Sequence, residues 1–134
     1  MPGPRSTTRP SPSFAWAAGG IISTTGDLQR FFGALLQGHL LAAEQQREMF
    51  TTVDTTGPVP WIPGTRYGLG VFSWSLPSGV TVWGNAGATY GSWTCAMGSR
   101  DGKHLLTSQV NGDWSGLAVF DDILTTEFGA AAGS

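Results

Sequence analysis

Apolar residues recur at two different periods along this chain, and the change of period divides it. Leu28, Phe31, Phe32, Leu35 and Leu36 return every three or four positions, the spacing of one helix face. Thr24, with Asp27 three residues on, supplies a capping start for that helix, and Gly38 a stop. Residues 42–50, rich in Gln and Glu, predict a short second helix. Residues 51–66 are a Pro- and Gly-rich loop without periodicity. From Tyr67 the period shortens. Residues 67–76 predict a first strand closed by the turn Pro77-Ser78-Gly79, and residues 80–84 a second. Residues 92–98 alternate, with Trp93, Cys95 and Met97 on one face and Ser92, Thr94 and Ala96 on the other. Residues 104–110 make a fourth strand. Arg100-Asp101-Gly102-Lys103 joins the last two, and its Asp-Gly pair predicts a type I′ hairpin turn. Leu117, Phe120, Leu124 and Phe128, with Ile123 beside them, form a terminal amphipathic helix.

Two helices, four strands and one helix in that order predict an α+β fold, an antiparallel β-sheet with the helices packed on one face. Residues 1–13 carry four prolines, two arginines and a run of Ser and Thr, and read as a disordered leader. Residues 14–134 form the single domain, a length that buries a real core.

Composition narrows the function. A net charge of −2 without a basic run leaves no footprint for a phosphate backbone, so nucleic acid is not an expected partner. No apolar run reaches the roughly 18 residues that cross a bilayer. Arg5 and Arg9 precede an apolar stretch over residues 14–22. That stretch has no small-x-small cleavage site after Ile22, and it reads as the lead-in to the first helix rather than a signal peptide. Cys95 is the sole cysteine, which excludes an internal disulfide and a Cys-x-x-Cys redox pair, and its strand position suits a small hydrophobe. The two histidines, His39 in a helix-ending turn and His104 at a strand start, sit where surface residues do, and no Gly-x-Ser-x-Gly elbow accompanies them. No metal site or cofactor is implied. Asp121-Asp122 on the last helix reads as a solvated acid pair.

The most informative stretch is Tyr67-Gly68-Leu69-Gly70, followed by Trp83-Gly84-Asn85-Ala86-Gly87-Ala88. With Ala18-Gly19-Gly20-Ile21-Ile22-Ser23-Thr24-Thr25-Gly26-Asp27-Leu28 before them, and Ser99-Arg100-Asp101-Gly102-Lys103 and Val110-Asn111 after, these words keep the order and spacing of one family. The chain resembles the C-terminal portion of serine β-lactamases and D-alanyl-D-alanine carboxypeptidases of the class C β-lactamase-like type, over about residues 17–129. The resemblance implies a partial β-lactamase/transpeptidase-like fold, an extracytoplasmic setting, and penicillin-binding hydrolases that form an acyl-serine on a small-molecule or peptide substrate. It makes Asn85, Ala86 and Gly87 the substrate-binding edge. The backbone amide of Ala88 becomes an oxyanion donor. Glycine at position 87 fits a backbone that a ligand must approach closely.

The departures from the family pattern are as specific. The family nucleophile lies in Ser-x-x-Lys. The only lysine here, Lys103, has Arg100 three residues before it, so the motif is absent from this sequence. Asn85 stands where relatives carry a cation, Ala86 and Ala88 where they carry hydroxyls, and Val71-Phe72-Ser73-Trp74 where carboxypeptidases place arginines. Tyr67 lacks the companion residue of the family's Tyr-x-Asn motif, and Tyr90-Gly91-Ser92 falls in the wrong part of the pattern. The expectation is a half-site, inactive alone, whose parent prefers neutral esters or amides. Two alternatives stay open. One is a non-catalytic ligand surface built on Trp61, Trp74, Trp83, Trp93 and Trp114. The other is a partner-binding or incomplete gene product that pairs through an exposed sheet edge.

Overall fold

The computed structural model describes residues 15–57, 62–89, 91–112 and 118–129. The leader over residues 1–13, and Trp61, Tyr90, Trp114 and Leu117, lie outside the described residues. A short helix α1 (Trp16–Gly19) leads to α2 (Thr25–Leu36) and α3 (Ala43–Met49). Six strands follow: β1 (Val53–Asp54), β2 (Thr65–Tyr67), β3 (Phe72–Ser75), β4 (Thr81–Thr89), β5 (Ser92–Gly98) and β6 (Leu105–Val110). Helix α4 (Ala118–Gly129) comes last. The strands form one antiparallel sheet in chain order, β1 to β6. No helix among the described residues is long and apolar enough to cross a membrane.

Local chemistry sets the ends of α2. Thr24 Oγ1 accepts the Asp27 N–H at 3.1 Å and donates to Asp27 Oδ2 at 2.9 Å, so the cap forms where the sequence puts it. At the other end Gly38 turns left-handed at φ 80°. The His39 N–H then reaches Ala34 O at 2.9 Å and the Gly38 N–H reaches Leu35 O at 3.1 Å, a Schellman closure. Gln46 Nε2 donates to Leu35 O at 2.7 Å and ties α3 to α2.

The antiparallel α+β architecture is as expected, but the helices cover both faces of the sheet rather than one. Phe72, Trp74, Val82, Cys95 and Met97 pack under Phe120, Leu124 and Phe128 of α4. On the opposite face Ala96, with Trp83 and Leu105 beside it, meets Phe32, Leu35 and Leu36 of α2 and Phe50 after α3. Cys95, Ala96 and Met97 are consecutive and all buried, which requires cover on both sides of β5.

Two further expectations are corrected. The strand predicted over residues 67–76 is a hairpin, β2 and β3, with Tyr67 opposite Phe72. The Gly68 N–H donates to Val71 O at 2.8 Å, Gly70 takes φ 79°, and the Leu69 N–H donates to Met49 O at 3.0 Å. A Cβ at position 68 would lie 2.2 Å from Met49 O, so glycine is what lets this turn close against the end of α3. The β5–β6 connection is not type I′. Among residues 99–104 only Gly102 has positive φ, at 67°. The loop closes through the Ser99 N–H on His104 O at 2.8 Å and the Gly102 N–H on Ser99 O at 2.9 Å. Asp101 keeps a negative φ and accepts from the Ser99 hydroxyl at 2.6 Å and the Lys103 N–H at 3.2 Å.

Candidate active-site edge

The early end of β3 opens one flank of β4. The β3–β4 ladder runs from Ser75 opposite Thr81 to Phe72 opposite Gly84 and stops there, because the chain turns away through residues 68–71. The β4–β5 ladder continues to Thr89 opposite Ser92. Among the described residues, 85–89 are thus paired on the β5 side only. An unbroken strand over residues 67–76 in the same register would have placed Tyr67 opposite Thr89 and closed this flank. The hairpin that sequence reasoning missed is what makes the edge available. Its signal was the closely spaced pair Gly68 and Gly70.

The direction of the free backbone groups follows from the ladder. The Leu76 N–H donates to Val80 O at 2.8 Å, which turns the even-numbered residues of β4 toward β3. With a period of two, Ala86 and Ala88 aim their N–H and C=O groups at the open flank, and Asn85, Gly87 and Thr89 aim theirs at β5. Gly87, Ala88 and Thr89 are exposed, while Asn85 and Ala86 are half-buried. The Asn85 side chain is already engaged: Nδ2 donates to Gly70 O at 2.9 Å, and Oδ1 accepts the Ala86 N–H at 2.8 Å. A Cβ built on Gly87 meets nothing within 4 Å.

On the α2 side this segment borders two cavities. One of about 160 Å³ lies among Leu28, Phe32, Asn85, Gly87, Thr94 and Ala96. Another of about 380 Å³ lies along Gly87, Ala88, Thr89, Ser92, Thr94 and Leu28, with Ile21 at its wall. No ionisable side chain lines either one. Neither Leu28 nor Thr94 was singled out in the sequence as a site residue. In the sequence both belong to periodic faces, and Leu28 also closes the family-like word that begins at Ala18.

The other chemistry-bearing residues fall elsewhere. His39 belongs to the α2 closure. His104 sits at the far end of β5 from Ser92, with a ring nitrogen 2.8 Å from Glu127 and its ring 4.3 Å from that of Phe128, and fastens α4 to the loop. Burial pushes the Cys95 thiol up to about 12, so it remains a protonated core group. Among the described residues no cluster of His, Cys, Asp and Glu could hold a metal ion. Trp74 is buried under α4, whereas Trp83 lies on the opposite face, edge-on to Phe50 and near the Arg100 guanidinium that covers that ring. These two indoles therefore form no common stacking platform.

The six-stranded antiparallel sheet with its helices matches a partial β-lactamase/penicillin-binding-protein-like fold. The beta-lactamase family model matches residues 1–119, and the chain belongs to that family. The crystal structure of a D-stereospecific amidohydrolase from Streptomyces sp. superposes with a TM-score of 0.76 at 43% sequence identity. The match covers 87% of this chain and 33% of that one, so the chain spans about a third of the length of this relative.

Proposed function

We propose that this chain supplies the substrate-binding edge, and one of the oxyanion donors, of a serine hydrolase acting on amide or ester bonds. The observation that carries the reading is the open flank of β4, toward which the ladder turns the Ala88 N–H, beside a cavity without ionisable lining. A substrate carbonyl oxygen would accept from Ala88 N–H, and Gly87 would let the substrate backbone lie close. Attack by a serine hydroxyl on that carbonyl places negative charge on the oxygen. A fixed backbone donor in a water-poor site contributes about 3 kcal/mol to stabilising it. Collapse expels the amine or alcohol with a proton and leaves an acyl-serine, which water then hydrolyses.

The serine and its proton-accepting lysine are not supplied by a Ser-x-x-Lys motif in this sequence. The chain alone is expected to bind ligand along β4 without forming an acyl-enzyme. The similar Streptomyces protein is a D-stereospecific amidohydrolase, which favours amides of D-residues over β-lactams as the ligands to try first. The test is intact-mass spectrometry after incubation with a fluorescent β-lactam and, separately, a fluorophosphonate. An unchanged mass from a cooperatively folded sample is the expected result. A stoichiometric adduct would mean that the chain carries a working nucleophile outside the family motif.

A further inference from the structure

We infer that Asn85 is a positioning residue that caps the upstream half of the open edge, so that the site accepts short, uncharged acyl groups rather than extended or carboxylate-bearing peptides. This rests on the proposed role of the β4 flank. The flank offers two outward-facing residues, Ala86 and Ala88. An extended ligand pairing in the antiparallel manner would take the N–H and C=O of both. Ala86 N–H is already given to Asn85 Oδ1 at 2.8 Å, while Asn85 Nδ2 satisfies Gly70 O at 2.9 Å, where the chain leaves the sheet. One side-chain amide thus bridges the gap left by the end of β3 and does for one residue what a further pair of the ladder would have done.

Among the described residues, Ala86 C=O and both groups of Ala88 have no partner on this flank, room for the carbonyl and one flanking amide of a short acyl group. Charge discrimination follows from the same side chain. Asn85 is uncharged and committed to two partners, and the adjoining cavities are lined without an ionisable group. A ligand carboxylate would leave water with no cation to meet it, only hydroxyls and the Ala88 N–H.

The test uses the full ¹⁵N-labelled chain with three probes: N-acetyl-D-phenylalaninamide, the same compound as its free carboxylate, and an extended tripeptide amide ending in D-phenylalanine. Without ligand, the Ala86 amide should exchange at least about tenfold more slowly than that of Ala88, and Asn85→Ala should abolish the difference. Asn85→Asp keeps an acceptor for Ala86 N–H but loses the donor to Gly70 O, so it should retain slow exchange at Ala86. With ligand, the short amide should shift Ala88 and leave Ala86 in place, the carboxylate should bind more weakly, and the tripeptide should show no advantage. In Asn85→Ala both resonances should move, and the tripeptide should gain about fivefold from the freed hydrogen bond. Fast exchange of Ala86 in the unaltered chain, or its shifting together with Ala88, would overturn the cap. Slow exchange at Ala86 with no shift at Ala88 for any probe would overturn the substrate-edge reading, and with it the specificity assigned to Asn85.

Discussion

Residues 81–84 and residues 85–89 belong to one unbroken strand, in one register against β5 from Trp83 to Thr89, yet they live in different surroundings. The first segment pairs with β3 along its length and with β5 at Trp83 and Gly84, with Val82 fully buried and Gly84 pressed against its neighbour. The second has β5 on one side and solvent on the other, and Gly87, Ala88 and Thr89 are exposed. Nothing in β4 itself imposes the change. It comes from β3, which ends at Phe72 because the preceding four residues fold into a glycine turn anchored on Met49 O. A candidate binding edge is therefore made by shortening a neighbour, and the strand that carries the site keeps regular geometry. Val82 and Gly84 are fixed by packing, Asn85 is held by its side-chain bonds, and Gly87, Ala88 and Thr89 are left exposed to meet a ligand.

The largest expected effect tests the embedded segment. A Cβ on Gly84 would fall 2.0 Å from Ala96 O and 3.0 Å from Met97 Cα, both backbone atoms on β5. Gly84 also sits at φ 156°, which side chains seldom adopt. Relief requires parting β4 from β5 at the centre of the sheet. Gly84→Ala should therefore cost on the order of 4 kcal/mol or prevent folding, measured by denaturant unfolding. A loss under about 1 kcal/mol would mean that the two strands are not held this tightly.

How far these differences could be read beforehand depends on the range of the interactions. The α2 cap at Thr24 and Asp27 and its stop at Gly38 were legible because each is a contact among residues three to five apart. The bounds of β5 were legible from its alternation. The split of residues 67–76 was not. Tyr67, Leu69 and Val71 alternate as a strand would, and the break shows as the glycine pair Gly68 and Gly70 and as Val71 and Phe72 both being apolar. In the fold these two residues belong to opposite cores. The second helical face was missed for a related reason, since cover over Ala96 comes from α2, far away in sequence. At the β5–β6 loop the Asp-Gly pair announced a turn correctly. Its type was decided by Ser99 and Asp101 side-chain bonds that the dipeptide does not encode. Asn85 was legible as a departure from the family pattern, but its bond to Gly70 O depends on where β3 stops.

A medium effect probes the β5 side of the open segment, where Cys95 lies opposite Ala86. Burial raises its thiol from 9.0 to about 12, so the folded chain stays protonated where the unfolded chain ionises. The associated stability is complete below the unfolded value and is lost as pH rises from 9 to about 12. Raising the pH from 7 to 10 should remove about 1.4 kcal/mol more from the unaltered chain than from Cys95→Ala, compared by urea unfolding. Identical slopes would show that β5 opens to water behind the edge. Alkylation of the native thiol at pH 8 should likewise be far slower than in urea.

The smallest expected change in stability is at Gly87, three residues beyond Gly84 and chemically identical to it. Its φ is not in the left-handed range, and an added Cβ meets no atom within 4 Å. Gly87→Ala should leave stability unchanged or raise it by about 0.5 kcal/mol, because alanine restricts the unfolded chain. The same methyl projects on the α2 side, toward the space shared with Leu28 and Thr94. A short amide probe should then bind roughly tenfold more weakly, the cost of forcing one methyl into an occupied contact. Opposite outcomes for one substitution at two glycines of one strand would separate a glycine kept for the fold from a glycine kept for a ligand. If Gly87→Ala instead unfolded the chain, the open flank would be closed in solution. If it left both melting and binding untouched, the ligand would not lie along β4.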